Sequence, residues 1–189
     1  MENKVTEAKK TVQKRMEPKL KLINMDKVEV EQIEWLLYPF IPYGKVTIIQ
    51  GDPGEGKTTM VLQIIAKLTR GEAILPTVSL TDDKENAEVP VNVIYQTAED
   101  GLGDTVKPRL VSSGADLQRV LVIDDAENPL TLADDRIEKA IRENNAKLMV
   151  IDPLQAFLGA NVDMNRANEV RPVFRKLADI AQSTGCAIV

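Results

Sequence analysis

Residues 51–59 read GDPGEGKTT and stand directly behind the apolar run KVTIIQ. Gly51, Gly56, Lys57 and Thr58 meet the spacing G-x-x-x-x-G-K-[ST], with Asp52, Pro53, Gly54 and Glu55 between them. No other stretch constrains the chain as tightly. It requires a strand, then a turn too close for bulky side chains, then the first turn of a helix. Glycines let the backbone wrap around phosphate oxygens, so that successive N–H groups and the helix N-terminus face the anion. Lys57 then reaches the β- and γ-phosphates and Thr58 ligates Mg²⁺. Thr59 assists phosphate contact by hydrogen bonding.

Composition narrows what can surround such a loop. The 189 residues are 43% hydrophobic and 28% charged, which suits one globular domain with a real core. No apolar run approaches the roughly 20 residues of a membrane helix. The first residues, MENKVTEAKK, lack the apolar centre of a signal peptide. A single cysteine, Cys186, excludes an internal disulfide framework, so a cytoplasmic location is expected. With no histidine, His-based triads and general bases are excluded. The net charge of −5 is uneven. Residues 1–21 hold seven Lys/Arg against three Glu, a local +4 that leaves −9 for the rest. This basic leader reads as a solvated arm, or as one that touches DNA or a neighbouring subunit.

Strand and helix signals alternate along the chain. Residues 1–24 form a basic extension, weakly ordered or helical, and residues 25–189 form the main domain. LLYPFIPYG is a leading loop, followed by a strand at Lys45–Gln50 covered on both faces. A helix runs from about Lys57 to Thr69 and ends at Gly71, with Met60, Ile64, Ile65 and Leu68 in the core. Residues 76–90 are a polar surface loop. Strands follow at Val91–Gln96, Val120–Ile123 and Leu148–Ile151. A short helix is expected at Thr105–Ser113. Thr131 to Asp134 resembles a capping box opening a helix to about Asn144. The last helix spans about Glu169 to Ser183 and buries Val170, Val173, Phe174, Leu177 and Ile180, with Pro172 acceptable only in its first turn. The pattern is that of an α/β domain with a largely parallel sheet. CAIV, at 186–189, reads as the beginning of a further strand, so the sequence is expected to be a piece of a longer protein.

Three acidic groups should emerge on the carboxyl edge of that sheet. Asp152 ends the strand LMVI, where a carboxylate can hold Mg²⁺. Glu99 and Asp100 follow the second strand in YQTAED. A carboxylate near the γ-phosphate can orient or deprotonate the attacking water. Glu has the longer reach, so Glu99 is the expected base and Asp100 the second choice. Asp124 and Asp125 end the third strand and fit a plain turn better.

The runs YPFIPYGKVTIIQGDPGEGKTT, YQTAED and LMVIDPLQAF together resemble the RecA-like ATPases of the plasmid replicative helicase type, the RepA-like hexameric helicases, over about Trp35 to Val189. The resemblance implies a three-layer RecA-like P-loop NTPase with a largely parallel central sheet. It also implies a homo-hexameric ring with ATP and Mg²⁺ at subunit interfaces and single-stranded DNA in the channel. Gly51 to Thr59 match the phosphate loop, Glu99 the catalytic glutamate and Asp152 the Walker B aspartate. Lys57 joins Glu99 as a catalytic residue, and Thr58 joins Asp152 at the metal. Arg109, in KPRL, matches an Arg-Leu pair and reads as a salt-bridge residue. The loop at 159–168, with Arg166, falls where the family has a DNA-facing loop, yet it has one basic residue and no aromatic. The sensor segment, second DNA loop and arginine finger of the family have no counterpart up to Val189. The expectation is therefore an ATP-binding and ATP-hydrolysing core of a replication helicase or translocase, turning over slowly or not at all alone. A recombination or repair ATPase of the same fold and a nucleotide-switched regulatory ATPase are the alternatives.

Overall fold

The computed structural model describes residues 20–75, 89–160 and 162–189. The expectations for residues 1–19 and for most of the loop at 76–90 lie outside these. The chain divides into two units, Met1–Gln32 and Ile33–Val189. In the described part of the first, Met25–Lys27 form one 3₁₀ turn and bury nothing.

The second unit opens with a short antiparallel ribbon, β1 (Trp35–Leu37) and β2 (Ile41–Pro42). The sequence had suggested a plain loop here. Leu36 and Ile41 are buried, and that burial holds the ribbon against the core. Helix α1 (Lys57–Arg70) follows. Strand β3 (Asn92–Thr97) leads through a π-helical turn at Leu102–Val106 into α2 (Lys107–Ser112), where Pro108 sits harmlessly in the first turn. Then come β4 (Val120–Leu121), α3 (Asp135–Asn144), β5 (Ala146–Asp152), α4 (Ala167–Thr184) and β6 (Ala187–Ile188).

Four strands form a parallel sheet in the order β4-β3-β5-β6. Its central pair is apolar almost throughout, as a sheet covered on both faces requires. The two-residue period divides these side chains between two cores. Val93, Tyr95, Leu148 and Val150 face α1, meeting Val61, Leu62 and Ile65. Ile94, Met149 and Ile151 face α3 and α4, meeting Ile137, Ile141, Leu177 and Ile180. The architecture is thus the α/β three-layer sandwich of a RecA-like P-loop NTPase.

Several local expectations need correction. The run Lys45–Gln50 forms only one ladder bridge, Val46 to Ile188 on the outer side of β6. Ile188 donates to the Lys45 carbonyl at 3.0 Å and Thr47 donates to that of Ile188 at 2.8 Å. With β6 just two residues long, Ile48–Gln50 find no ladder partner, and Ile48 is 63% exposed. Met60 points out of the core. The cap of α3 is Asp134, whose carboxylate accepts from the Arg136 N–H at 2.9 Å; Thr131 contributes only a turn carbonyl. Asp134 wins because Arg136 also folds back on it as an ion pair at 2.7 Å. Helix α4 begins two residues early, at Ala167, so Pro172 lies inside it, and Val170 and Phe174 are only half-buried.

Candidate functional site

The glycine loop reaches α1 through two left-handed residues, Gly54 (φ +84°) and Gly56 (φ +85°). A side chain at either would cost about 1–2 kcal/mol in that conformation. Gly56 is the N-cap of α1 and lets the chain turn sharply into the helix, leaving the first-turn N–H groups aimed outward. The helix closes at Gly71, also left-handed, which donates to the Lys67 and Leu68 carbonyls. Lys57 Nζ donates to the carbonyls of Gly51 (2.9 Å) and Asp52 (2.6 Å), drawing the loop into a ring around the ammonium. The Asp52 N–H donates at 2.8 Å to Glu55 Oε2, so a loop amide already holds an anionic oxygen. Thr59 is exposed.

Across the sheet, Thr58 Oγ1 donates to Asp152 Oδ2 at 2.9 Å, joining residues 94 positions apart. Two placements make this contact. Burial of Val61, Leu62 and Ile65 lays α1 over β3 and β5, and the last rung of β5 leaves Asp152 at the strand tip. The pair is a hydroxyl and a carboxylate, hard oxygen donors that suit Mg²⁺ better than softer metals. Among the described residues no cluster of three or more His, Cys, Asp or Glu stands ready for a metal. Mg²⁺ needs none, since it is commonly held by one or two protein oxygens plus substrate phosphate and water. The residues present therefore fit this ion.

Thr97 lies opposite Asp152 in the β3–β5 register, which brings the segment carrying Glu99 to the same sheet edge. Glu99 is exposed and makes no hydrogen bond or ion pair among the described residues. Asp100 differs: Arg109 of α2 donates to its Oδ2 at 3.0 Å. Arg109 is thus placed as a salt-bridge residue. Asp124 accepts from the Ala126 N–H in a turn, and Asp125 accepts from Gln96. Arg166 is ion-paired to Asp163 (3.2 Å) and Glu169 (3.3 Å).

Two residues that the sequence reading passed over belong to this region. Gln96 is 1% exposed; its amide accepts from the Ile123 N–H and donates to the Ile123 carbonyl. In effect a side chain extends the β3–β4 ladder past Leu121. Tyr95 is fully buried, and its hydroxyl donates to Asp152 Oδ2 at 3.3 Å. Burial, then the Asp152 charge, push this phenol well above its ordinary range, so it stays a neutral donor. Both stand in YQTAED beside the acidic pair. The available signal was a polar group inside an otherwise apolar strand. Beside the loop a cavity of about 520 Å³ is lined by Gly51, Lys57, Thr58 and Asp152 at one end, and by Ile48, Leu154, Met164 and Phe174 elsewhere.

Comparison with known proteins agrees with this geometry. The AAA domain family model matches residues 12–189. A DNA repair protein RadA from Halalkalibacterium halodurans is 28% identical over 148 residues, covering 77% of this chain and 27% of its own. A KaiC-like protein from Pyrococcus horikoshii superposes with a TM-score of 0.52 at 20% identity, covering 79% of this chain and 64% of its own. The second likeness concerns the fold alone. The chain spans about a quarter of the RadA relative and under two thirds of the KaiC-like one.

Proposed function

The chain belongs to the AAA domain family and is a RecA-like P-loop ATPase core, and from that premise we propose that it hydrolyses Mg-ATP to drive work on single-stranded DNA during replication. The hydrogen bond from Thr58 to Asp152 carries this reading, because it ties the phosphate loop to the acidic sheet edge. The loop Gly51–Thr59 cradles the phosphates with its N–H groups. Lys57, released from its two loop carbonyls, neutralises charge on the β- and γ-phosphates. Thr58 and Asp152 would hold Mg²⁺, which would supply positive charge against that developing on the phosphates. Glu99 takes a proton from the attacking water as its oxygen bonds to the γ-phosphorus, and the β–γ bridging oxygen leaves with ADP. Asp100 is already engaged by the Arg109 guanidinium at 3.0 Å, whereas Glu99 makes no ion pair among the described residues and is the carboxylate left to meet water.

The finer assignment follows the resemblance to RepA-type helicases. It has the chain act in a homo-hexamer around the strand, with a neighbouring subunit's arginine needed for fast turnover. A repair ATPase is the second reading, favoured by the RadA likeness. Single-turnover hydrolysis tests the common core. Glu99→Gln should lower the rate about 10²- to 10⁴-fold while leaving ATP binding within a few-fold. An unchanged rate would remove Glu99 from the mechanism. Electron microscopy with ATP analogue and single-stranded DNA then separates the readings: closed rings favour the helicase, open filaments the repair enzyme.

A further inference from the structure

Tyr95 lies in a core strand where phenylalanine would fill the same space. A buried hydroxyl costs free energy unless it finds a partner. Here that partner is Asp152, and the contact follows from strand register. Tyr95 stands opposite Val150 and Thr97 opposite Asp152, so all four lie on the face covered by α1. The phenol donates at 3.3 Å to Oδ2, the same oxygen that accepts from Thr58 at 2.9 Å. Among the described residues nothing donates to Oδ1. Two donors on one oxygen fix the carboxylate's torsion and leave the other oxygen for a hydrated cation.

We propose that Tyr95 is a positioning residue for magnesium: its hydroxyl orients the Asp152 carboxylate from inside the core, so that Mg²⁺ affinity is set partly by a residue that never touches the ion. The proposal rests on the Mg-nucleotide reading above. Partners that orient metal ligands are typically worth about 10- to 100-fold in metal affinity. Because Tyr95 is the more distant of the two donors on Oδ2, the lower figure applies.

The test is Tyr95→Phe, read by binding of a fluorescent ATP analogue as MgCl₂ is titrated. The Mg²⁺ concentration giving half-maximal enhancement of binding should rise about tenfold. Affinity without Mg²⁺ should stay within twofold of wild type. An unmoved Mg²⁺ requirement, or an equal loss with and without Mg²⁺, overturns the proposal and reduces Tyr95 to packing. 4-Aminophenylalanine at position 95 keeps a donor at the same place and should restore the wild-type requirement. A tenfold rise there as well also overturns the proposal. If Tyr95→Phe does not fold, the amino variant still tests the proposal, because a raised Mg²⁺ requirement with the donor retained overturns it. Wild-type protein that binds the analogue with no response to Mg²⁺ overturns the Mg-nucleotide reading together with the proposal, whereas a normal wild-type response with an unmoved Tyr95→Phe removes the proposal only.

Discussion

KVTIIQ at 45–50 and KLMVID at 147–152 are near twins in composition, and each delivers one half of the site. The second is paired along nearly its whole length, with a register partner on β3 at all but one position and four buried residues in a row. The first makes one bridge and leaves Ile48 exposed. A β-branched apolar run therefore specifies willingness to join a sheet, while the ladder depends on what lies alongside. The consequence reaches the chemistry. Asp152 comes from a rigid, buried strand that presets its carboxylate. Gly51–Glu55 come from an exposed segment held by its own contacts, Lys57 on two carbonyls and Glu55 on one amide.

Amide hydrogen exchange would sharpen this contrast most. Amides of Met149–Ile151 should open only near the free energy of global unfolding, those of Ile48–Gln50 almost freely. Protection should differ by about 10³-fold or more. Equal protection would break the comparison. Paired substitutions read it as stability: Leu148→Ala should cost about 2–5 kcal/mol by chemical denaturation, and Ile48→Ala less than about 0.5 kcal/mol. A large loss at Ile48 would show that the first run is packed after all.

The last contrast concerns Cys186, just before β6, the strand between the two runs. Burial pushes its thiol up to about 12 from an ordinary 9.0. The folded chain keeps this proton while the unfolded chain releases it above about pH 9. Stability should thus be intact below pH 9 and fall as pH rises towards 12. Cys186→Ala should flatten part of that decline in pH-dependent thermal unfolding. No change in slope would mean that the thiol is hydrated.

Much of this could be read before any coordinates. The glycine loop, α1 and its Gly71 stop, the alternation of strands and helices, and the positions of Glu99 and Asp152 at strand ends all follow from short-range pattern. Local rules lost where two local signals competed. Thr131 and Asp134 can both cap a helix, and Arg136 decided for Asp134. Pro172 suggested a late start for α4, yet Glu169 and Val170 both donate to the Arg166 carbonyl and begin the helix earlier.

What the amino-acid sequence determined alone is therefore the inventory: a phosphate loop at a helix start, carboxylates at strand tips and an α/β order of elements. Spacing along the chain encodes these, because backbone conformation and periodicity depend on near neighbours. What only the tertiary structure decided is who meets whom. Thr58 with Asp152, Tyr95 with Asp152, and Gln96 with Ile123 span 94, 57 and 27 residues. Strand order and register bring these groups together, and both are set by the burial of two apolar faces at once, which no single segment contains.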